Sequence, residues 1–128
     1  MTDLDRRITA SETRVFKAVF PNTTNHYDTL FGGMALQLMD EVSFICATRF
    51  SRKKVVTIST DKIDFKKSIP QGTIIELVAK IEHVGRTSCT VKVAIYKEDM
   101  YSLQREMAVT GFFKFVAIDK DKRPVEIL

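Results

Sequence analysis

The sequence predicts an α+β fold, a curved antiparallel β-sheet wrapped around one long central helix. Two observations carry this. Between Leu30 and Cys46, apolar residues recur at helical spacing on two stripes, Leu30, Met34, Leu38, Val42 and Ile45 on one and Phe31, Ala35, Met39 and Cys46 on the other. Such a helix is buried nearly all round rather than on one face. One alternating run precedes it and four follow, joined by links too short for crossovers, so the strands pair antiparallel.

Taken in order, residues 1–10 read as a loose polar start. Thr13 to Phe20 alternates, with Phe16, Ala18 and Phe20 on one face, and Pro21 ends it. Asn22-Thr-Thr-Asn25 is loop chemistry, since these side chains bond to nearby backbone. The helix is predicted from about Gly32 to Phe50, closed by the positive charge of Ser51-Arg-Lys-Lys54. Val55 to Phe65 is a strand whose phase changes: Val56 and Ile58 share one parity, Ile63 and Phe65 the other. A β-bulge near Thr60-Asp61-Lys62 restores a single apolar face. Pro70-Gln-Gly72 is a turn; Ile75, Leu77, Ala79 and Ile81 alternate in a third strand, and Gly85 turns the chain. Cys89, Val91, Val93 and Ile95 form a fourth strand, and Leu103 to Ile118, apolar on both faces near Phe112, Phe113 and Phe115, a fifth and central one. Asp119 to Pro124 turns into a short tail.

The chain of 128 residues is read as a single domain spanning 1–128, with 45% hydrophobic and 28% charged residues as in an ordinary soluble globular protein. No run approaches a membrane span and the start lacks a signal-type apolar stretch, which points to the cytoplasm. Cys46 and Cys89 fall at core positions, as free thiols in a reducing compartment, and the chain has too few Cys and His for a metal cluster. The net charge of +4 (pI about 9.1) is spread over scattered pairs such as Lys53-Lys54 and Lys66-Lys67. That pattern favours a small anionic ligand over nucleic acid. A single sheet around a helix also leaves an edge strand and apolar surface to cover, which points to a homodimer.

The chemistry centres on the helix. Asp40 lies seven residues after Gly33, two turns along the same stripe, flanked by Gln37 and Glu41. A carboxylate deep in a buried helix is costly unless bonded or paired. Gly32 and Gly33 let a ligand approach the first turn, whose free N–H groups suit an oxyanion. The pair reads either as part of an acyl-transfer site or as a structural cap by Asp40. His26, one residue past Asn25, reads as a solvated loop histidine or as a residue that helps at the site, and Glu41 as a partner of structural kind or a second carboxylate.

The stretch Asn25 to Glu41, with Phe31-Gly-Gly33 and Leu38-Met-Asp40, resembles the acyl-CoA thioesterase branch of the hotdog fold. Val55-Val-Thr-Ile58, Asp64-Phe-Lys-Lys-Ser-Ile69, Gly85-Arg-Thr-Ser88 and Phe113-Lys-Phe-Val-Ala-Ile-Asp119 extend the resemblance from about Val15 to Pro124. It implies a homodimer with active sites shared at the interface, and assembly into a hexamer as a trimer of dimers. It also implies hydrolysis of acyl-CoA to a free fatty or organic acid and coenzyme A, a role in lipid metabolism, with no cofactor because coenzyme A belongs to the substrate. Asp40 matches the catalytic carboxylate, as general base or nucleophile, and Asn25 the loop asparagine contributed by the other subunit. The Gly33 N–H would polarise the thioester carbonyl, with Gly32 beside it. Coenzyme A would lie near Gly85, Arg86, Thr87 and Ser88, with Lys66 a further candidate and Lys67 beside it. The resemblance departs at Asp28, where the family has Gly, and at Ser68, where it has Pro. Acyl-chain length would depend on Met34, Leu38, Phe44 and Phe65. The alternative function is a non-catalytic acyl-CoA sensor on the same fold.

Overall fold

The computed structural model describes residues 1–128. The elements run α1 (Asp3–Ser11), β1 (Thr13–Ala18), a 3₁₀ turn (Pro21–Thr23), α2 (Gly32–Ser51), β2 (Val55–Phe65), β3 (Ile74–Val84), β4 (Ser88–Glu98) and β5 (Arg105–Ala117). The strands form one antiparallel sheet in the order β1-β3-β4-β5-β2, with α2 against one face touching all five. This is the hotdog-type arrangement that the alternating runs and the long apolar helix require. β5 is interior as expected, although β4 holds the middle of the sheet.

The core lies between α2 and the sheet. Ala35, Met39, Val42, Cys46, Ala47 and Phe50 of α2 are buried against odd-numbered residues of β3, β4 and β5 such as Leu77, Val93 and Phe113. The two cysteines are buried there as free thiols. Burial pushes Cys46 up to about 11 and Cys89 up to about 12, from an ordinary value of 9.0, because a thiolate has no solvation in the core.

Three expectations are corrected. Residues 1–10 are not loose: they form most of α1, started by a reciprocal cap in which Asp5 N–H donates to Thr2 Oγ1 (3.0 Å) and Thr2 N–H to the Asp5 carboxylate (3.2 Å). The helix is fastened to α2 by Arg7, which donates to the Phe50 carbonyl (2.8 Å), and by Arg49, which donates to Ala10 O (2.9 Å), Glu12 O (3.0 Å) and Thr13 Oγ1 (2.9 Å). Phe16 and Phe20 do not face the core. β1 turns Val15 toward α2, and both phenylalanines are exposed on this single chain. Finally, α2 is not covered all round. Leu36, Gln37, Glu41 and Phe44 are exposed, because one sheet covers only one side of a cylinder.

β2 is one of the two edge strands, opposite β1, and it carries two register shifts, between Thr57 and Ser59 and between Asp61 and Asp64. The second falls where the phase change predicted a bulge, with Lys62 at φ 52°. Two shifts together leave the phase unrestored, so Ile63 packs inward while Val56 and Ile58 stay outside and no single apolar face forms. Val56, Ile58 and Phe65 are exposed along this free edge.

The raised thiols make a pH prediction. Below about pH 9 both states hold the thiol protons, so no differential term exists; above it the unfolded chain ionises while the folded chain stays protonated up to about 11 and about 12. Stability should therefore fall between those limits, by up to about 1.4 kcal/mol per pH unit for each thiol. Urea midpoints at about pH 8 and about pH 10.5, for the wild type and for Cys46→Ala with Cys89→Ala, check it: the loss with pH should be smaller in the variant.

Candidate active site

The start of α2 is an uncapped helix terminus. Phe31 is the N-cap residue, in extended backbone, and its side chain makes no capping bond. The N–H groups of Gly32, Gly33 and Met34 therefore point out of the first turn without protein acceptors. The terminus is positioned by its lead-in: Leu30 N–H donates to Ile69 O (2.7 Å) and Phe31 N–H to Thr23 O (3.0 Å). Two aromatic rings flank it. A methyl group at Gly33 would sit 2.8 Å from the Phe31 ring, and one at Gly32 would sit 3.8 Å from Phe65. Beside this turn lies a cavity of about 280 Å³ lined by Leu30, Ala35, Phe65, Ile69 and Val109, with Lys66 and Lys67 at its rim.

Asp40 is two turns further along. It is half-buried rather than deep, because it lies on the flank of α2 that faces edge strand β2. The Thr57 hydroxyl donates to Asp40 Oδ1 at 2.8 Å, which fixes one carboxylate oxygen. Sequence reasoning missed Thr57: a threonine in an alternating strand is ordinary, and only its place in Val55-Val-Thr-Ile58 marked it. Glu41 points elsewhere, into the groove between α2 and β1 beside Val15 and Lys17 at the opposite edge of the sheet. It is not a second carboxylate for this site. Leu38 lines that same far groove, and Phe44 is exposed.

Asn25 organises the loop before α2. Its Oδ1 accepts from Tyr27 N–H (2.9 Å), Thr29 N–H (3.3 Å) and the Thr29 hydroxyl (3.1 Å). Three donors on one oxygen leave the side-chain NH₂ as the group free to donate outward. His26 is exposed and stacked on Tyr27, with ring centroids 3.9 Å apart. Asp28 has φ 60°, in the left-handed region where glycine is at ease, so the backbone accounts for the family's glycine. The loop is also held to the turn before β3, since Gln71 N–H donates to Asp28 O (2.8 Å).

The remaining candidates divide between the two ends of the sheet. Lys66 lies at the α2 start, its amine paired with Asp64 (2.9 Å) and its N–H bonded to Ala108 O. The Gly85–Ser88 turn lies at the other end, where Ala117 N–H donates to Thr87 O and Ile127 N–H to Arg86 O, each at 2.9 Å. The turn is closed by Gly85 N–H to Ser88 O (2.8 Å), with Arg86 exposed and in no ion pair. Nine residues of β5 separate the two groups, roughly 30 Å. A single chain thus brings Gly32, Gly33, Lys66, Asp40 and Thr57 onto one seam between α2 and β2 and leaves Gly85, Arg86, Thr87 and Ser88 apart.

The family model described as "Thioesterase superfamily" matches residues 27–103. The chain is 39% identical over 118 residues to the Bacillus subtilis protein named "Uncharacterized acyl-CoA thioester hydrolase YkhA", covering 91% of this chain and 69% of that one. Among solved structures, the acyl-CoA hydrolase of Staphylococcus aureus, in complex with butyryl coenzyme A, coenzyme A and coenzyme A disulfide, superposes with a TM-score of 0.89 at 34% identity over 93% of this chain and 73% of that one. That enzyme has also been solved with one aspartate, one asparagine or one threonine changed to alanine. A structure described as an apo-hexameric acyl-CoA thioesterase matches with a TM-score of 0.90 at 34% identity, over 93% of this chain and 76% of that one.

The left-handed backbone at Asp28 sets a stability test of the loop. Asp28→Gly should keep or slightly raise the melting temperature. Asp28→Val should lower stability by about 1–2 kcal/mol, the cost of a branched side chain in that conformation. Thermal melts of both variants beside the wild type check it.

Proposed function

The chain belongs to the thioesterase superfamily, and from that membership we infer that it hydrolyses acyl-CoA thioesters to a free acid and coenzyme A. The observation that carries the reading is the Thr57–Asp40 hydrogen bond on a seam two turns from an uncapped, glycine-lined helix start. The aspartate, asparagine and threonine replaced in the Staphylococcus aureus enzyme stand in the order and at the spacing of Asn25, Asp40 and Thr57. Nothing in composition requires that agreement.

In the reaction, the Gly33 N–H, with Gly32 beside it, takes up the charge that develops on the thioester oxygen. Asp40 removes a proton from a water that attacks the carbonyl, or attacks the carbonyl itself to give an anhydride that water then hydrolyses; by either route the C–S bond breaks and coenzyme A leaves as its thiol. Thr57 occupies Oδ1, so Oδ2 is the oxygen left to act. The Asn25 amide is a donor for the same carbonyl or water. Every step uses water and side chains or backbone of this protein, so the reading asks for no cofactor.

The complete site is a dimer's. β2 is an unpaired edge with exposed Val56, Ile58 and Phe65, continuous with the uncovered flank of α2. Antiparallel pairing of β2 with its own copy sets one protomer's α2 start beside the other protomer's Gly85–Ser88 end. It thereby joins Lys66 to the partner subunit's Arg86, two cations suited to the phosphates of coenzyme A. The same symmetry carries Asn25 of the partner subunit toward Asp40. Further assembly into a hexamer is part of this reading. So is a cytoplasmic location, which the free thiols Cys46 and Cys89 support.

Steady-state thiol release from a panel of acyl-CoAs tests it. Asp40→Ala should lose at least about 100-fold in kcat while remaining folded and oligomeric. Asn25→Asp keeps the loop acceptor and removes the outward donor, so it should lower kcat with little change in melting temperature. Binding of acyl-CoA without turnover by the wild type would instead favour the sensor function, and full activity in Asp40→Ala would remove Asp40 from the mechanism.

A further inference from the structure

Ile63 differs from its neighbours on β2. The strand is exposed along almost its whole length, yet Ile63 is half-buried and packs on the core. The bulge does this. Asp61 pairs with Phe112 and Asp64 with Thr110, so Lys62 and Ile63 together oppose Gly111. Lys62, at φ 52°, carries its amine to the outer side, 5.9 Å over the Phe112 ring. Ile63 turns inward and lies on Gly111. A methyl group at position 111 would overlap Ile63 Cδ1 outright and come within 3.2 Å of Met39 Cε. Glycine there is what lets the ends of Ile63 and Met39 meet.

That meeting point lies between the two halves of the site. Met39 is fully buried and immediately precedes Asp40. Along the seam from α2's middle to its start come Thr57 with Asp40, then Ile63 with Met39 over Gly111, then Phe65 with Gly32 and the cavity of about 280 Å³. A thioester held between the Gly33 N–H and Asp40 lies directly over the middle pair. Resting on the hydrolase reading, we propose that Ile63 sets the acyl-chain length: stacked on Gly111 against Met39, it is the floor that closes the seam beneath the thioester. Behind it there is no side chain at 111, so shortening Ile63 opens space toward the apolar cavity at the helix start, two of whose lining residues, Phe65 and Val109, lie two positions along β2 and β5 from Ile63 and Gly111. Phe65 bounds that cavity, while Leu38 and Phe44, on other faces of the helix, have no part in the floor.

The test measures kcat/KM for butanoyl-, octanoyl- and dodecanoyl-CoA with the wild type, Ile63→Ala and Ile63→Val, with melting curves for each. In Ile63→Ala the dodecanoyl-to-butanoyl ratio of kcat/KM should rise about tenfold or more, since each methylene of pocket space discriminates by at least about tenfold. Ile63→Val removes one methyl group and should shift the ratio the same way by less. It decides the matter if the alanine variant fails to fold. An unchanged ratio in a folded variant would overturn the proposal and leave Ile63 a packing residue. The wild type separates the two levels: absence of turnover with every acyl-CoA overturns the hydrolase reading and this one with it, whereas turnover with an unchanged ratio overturns only the role of Ile63.

Discussion

A helix that is apolar on more faces than one sheet can cover is the constraint on which this structure depends. α2 satisfies its inner face against β3, β4 and β5, and it still presents Leu36 and Phe44 outward. Burying each such side chain is worth about 1.5–3 kcal/mol, so the uncovered stripe is a standing drive toward association. Asp40 lies at the boundary between the covered and uncovered faces. Fully inside the core it would need a buried partner, and fully outside it would be one more solvated carboxylate. At the boundary it keeps one oxygen on Thr57 and one open.

Edge strand β2 answers the same constraint from the other side of the seam. A regular strand has one alternation and therefore one set of inward residues. The two register shifts of β2 cancel, so Thr57, Ile63 and Phe65 share one parity and all face the helix, Thr57 toward Asp40, Ile63 toward Met39 and Phe65 toward Gly32. A bulge also twists and shortens the regular edge, which limits pairing to a partner that matches it. The irregularity that would weaken an interior strand is thus tolerated at this edge, where the second shift restores the inward face that the first one breaks.

Most of the architecture was legible because burial imposes periodicity. The four strands after α2, their short turns and the bulge near Lys62 follow from alternation and its one break in phase. The failures have physical reasons as well. The helix at Asp3–Ser11 is short and polar, stabilised by a reciprocal cap and by Arg7 and Arg49 reaching from or to other elements, and no apolar period announces such a helix. Phe16 and Phe20 misled because apolar parity normally marks the core face; here it marks a surface left bare on one chain. The depth of Asp40 was overstated for the related reason that apolar periodicity counts how much of a helix avoids water in the assembly, not how much its own sheet covers.

The candidate site was legible where its members share one helix and illegible where a side chain enters by tertiary contact. Gly32, Gly33 and Asp40 share one helix, so their spacing alone fixes their relation. Thr57 meets Asp40 only through tertiary contact, and its hydroxyl gives a sequence no period to read. Asn25 lies between these cases. Its carbonyl oxygen is committed to Tyr27 and Thr29 inside its own loop, which explains why an asparagine, and not merely a polar residue, suits that position. An aspartate could supply the acceptor and a lysine the outward donor, and a hydroxyl would have to do both through one oxygen, whereas an amide divides them between Oδ1 and its NH₂. The loop's shape and its outward-facing donor are therefore two consequences of a single residue.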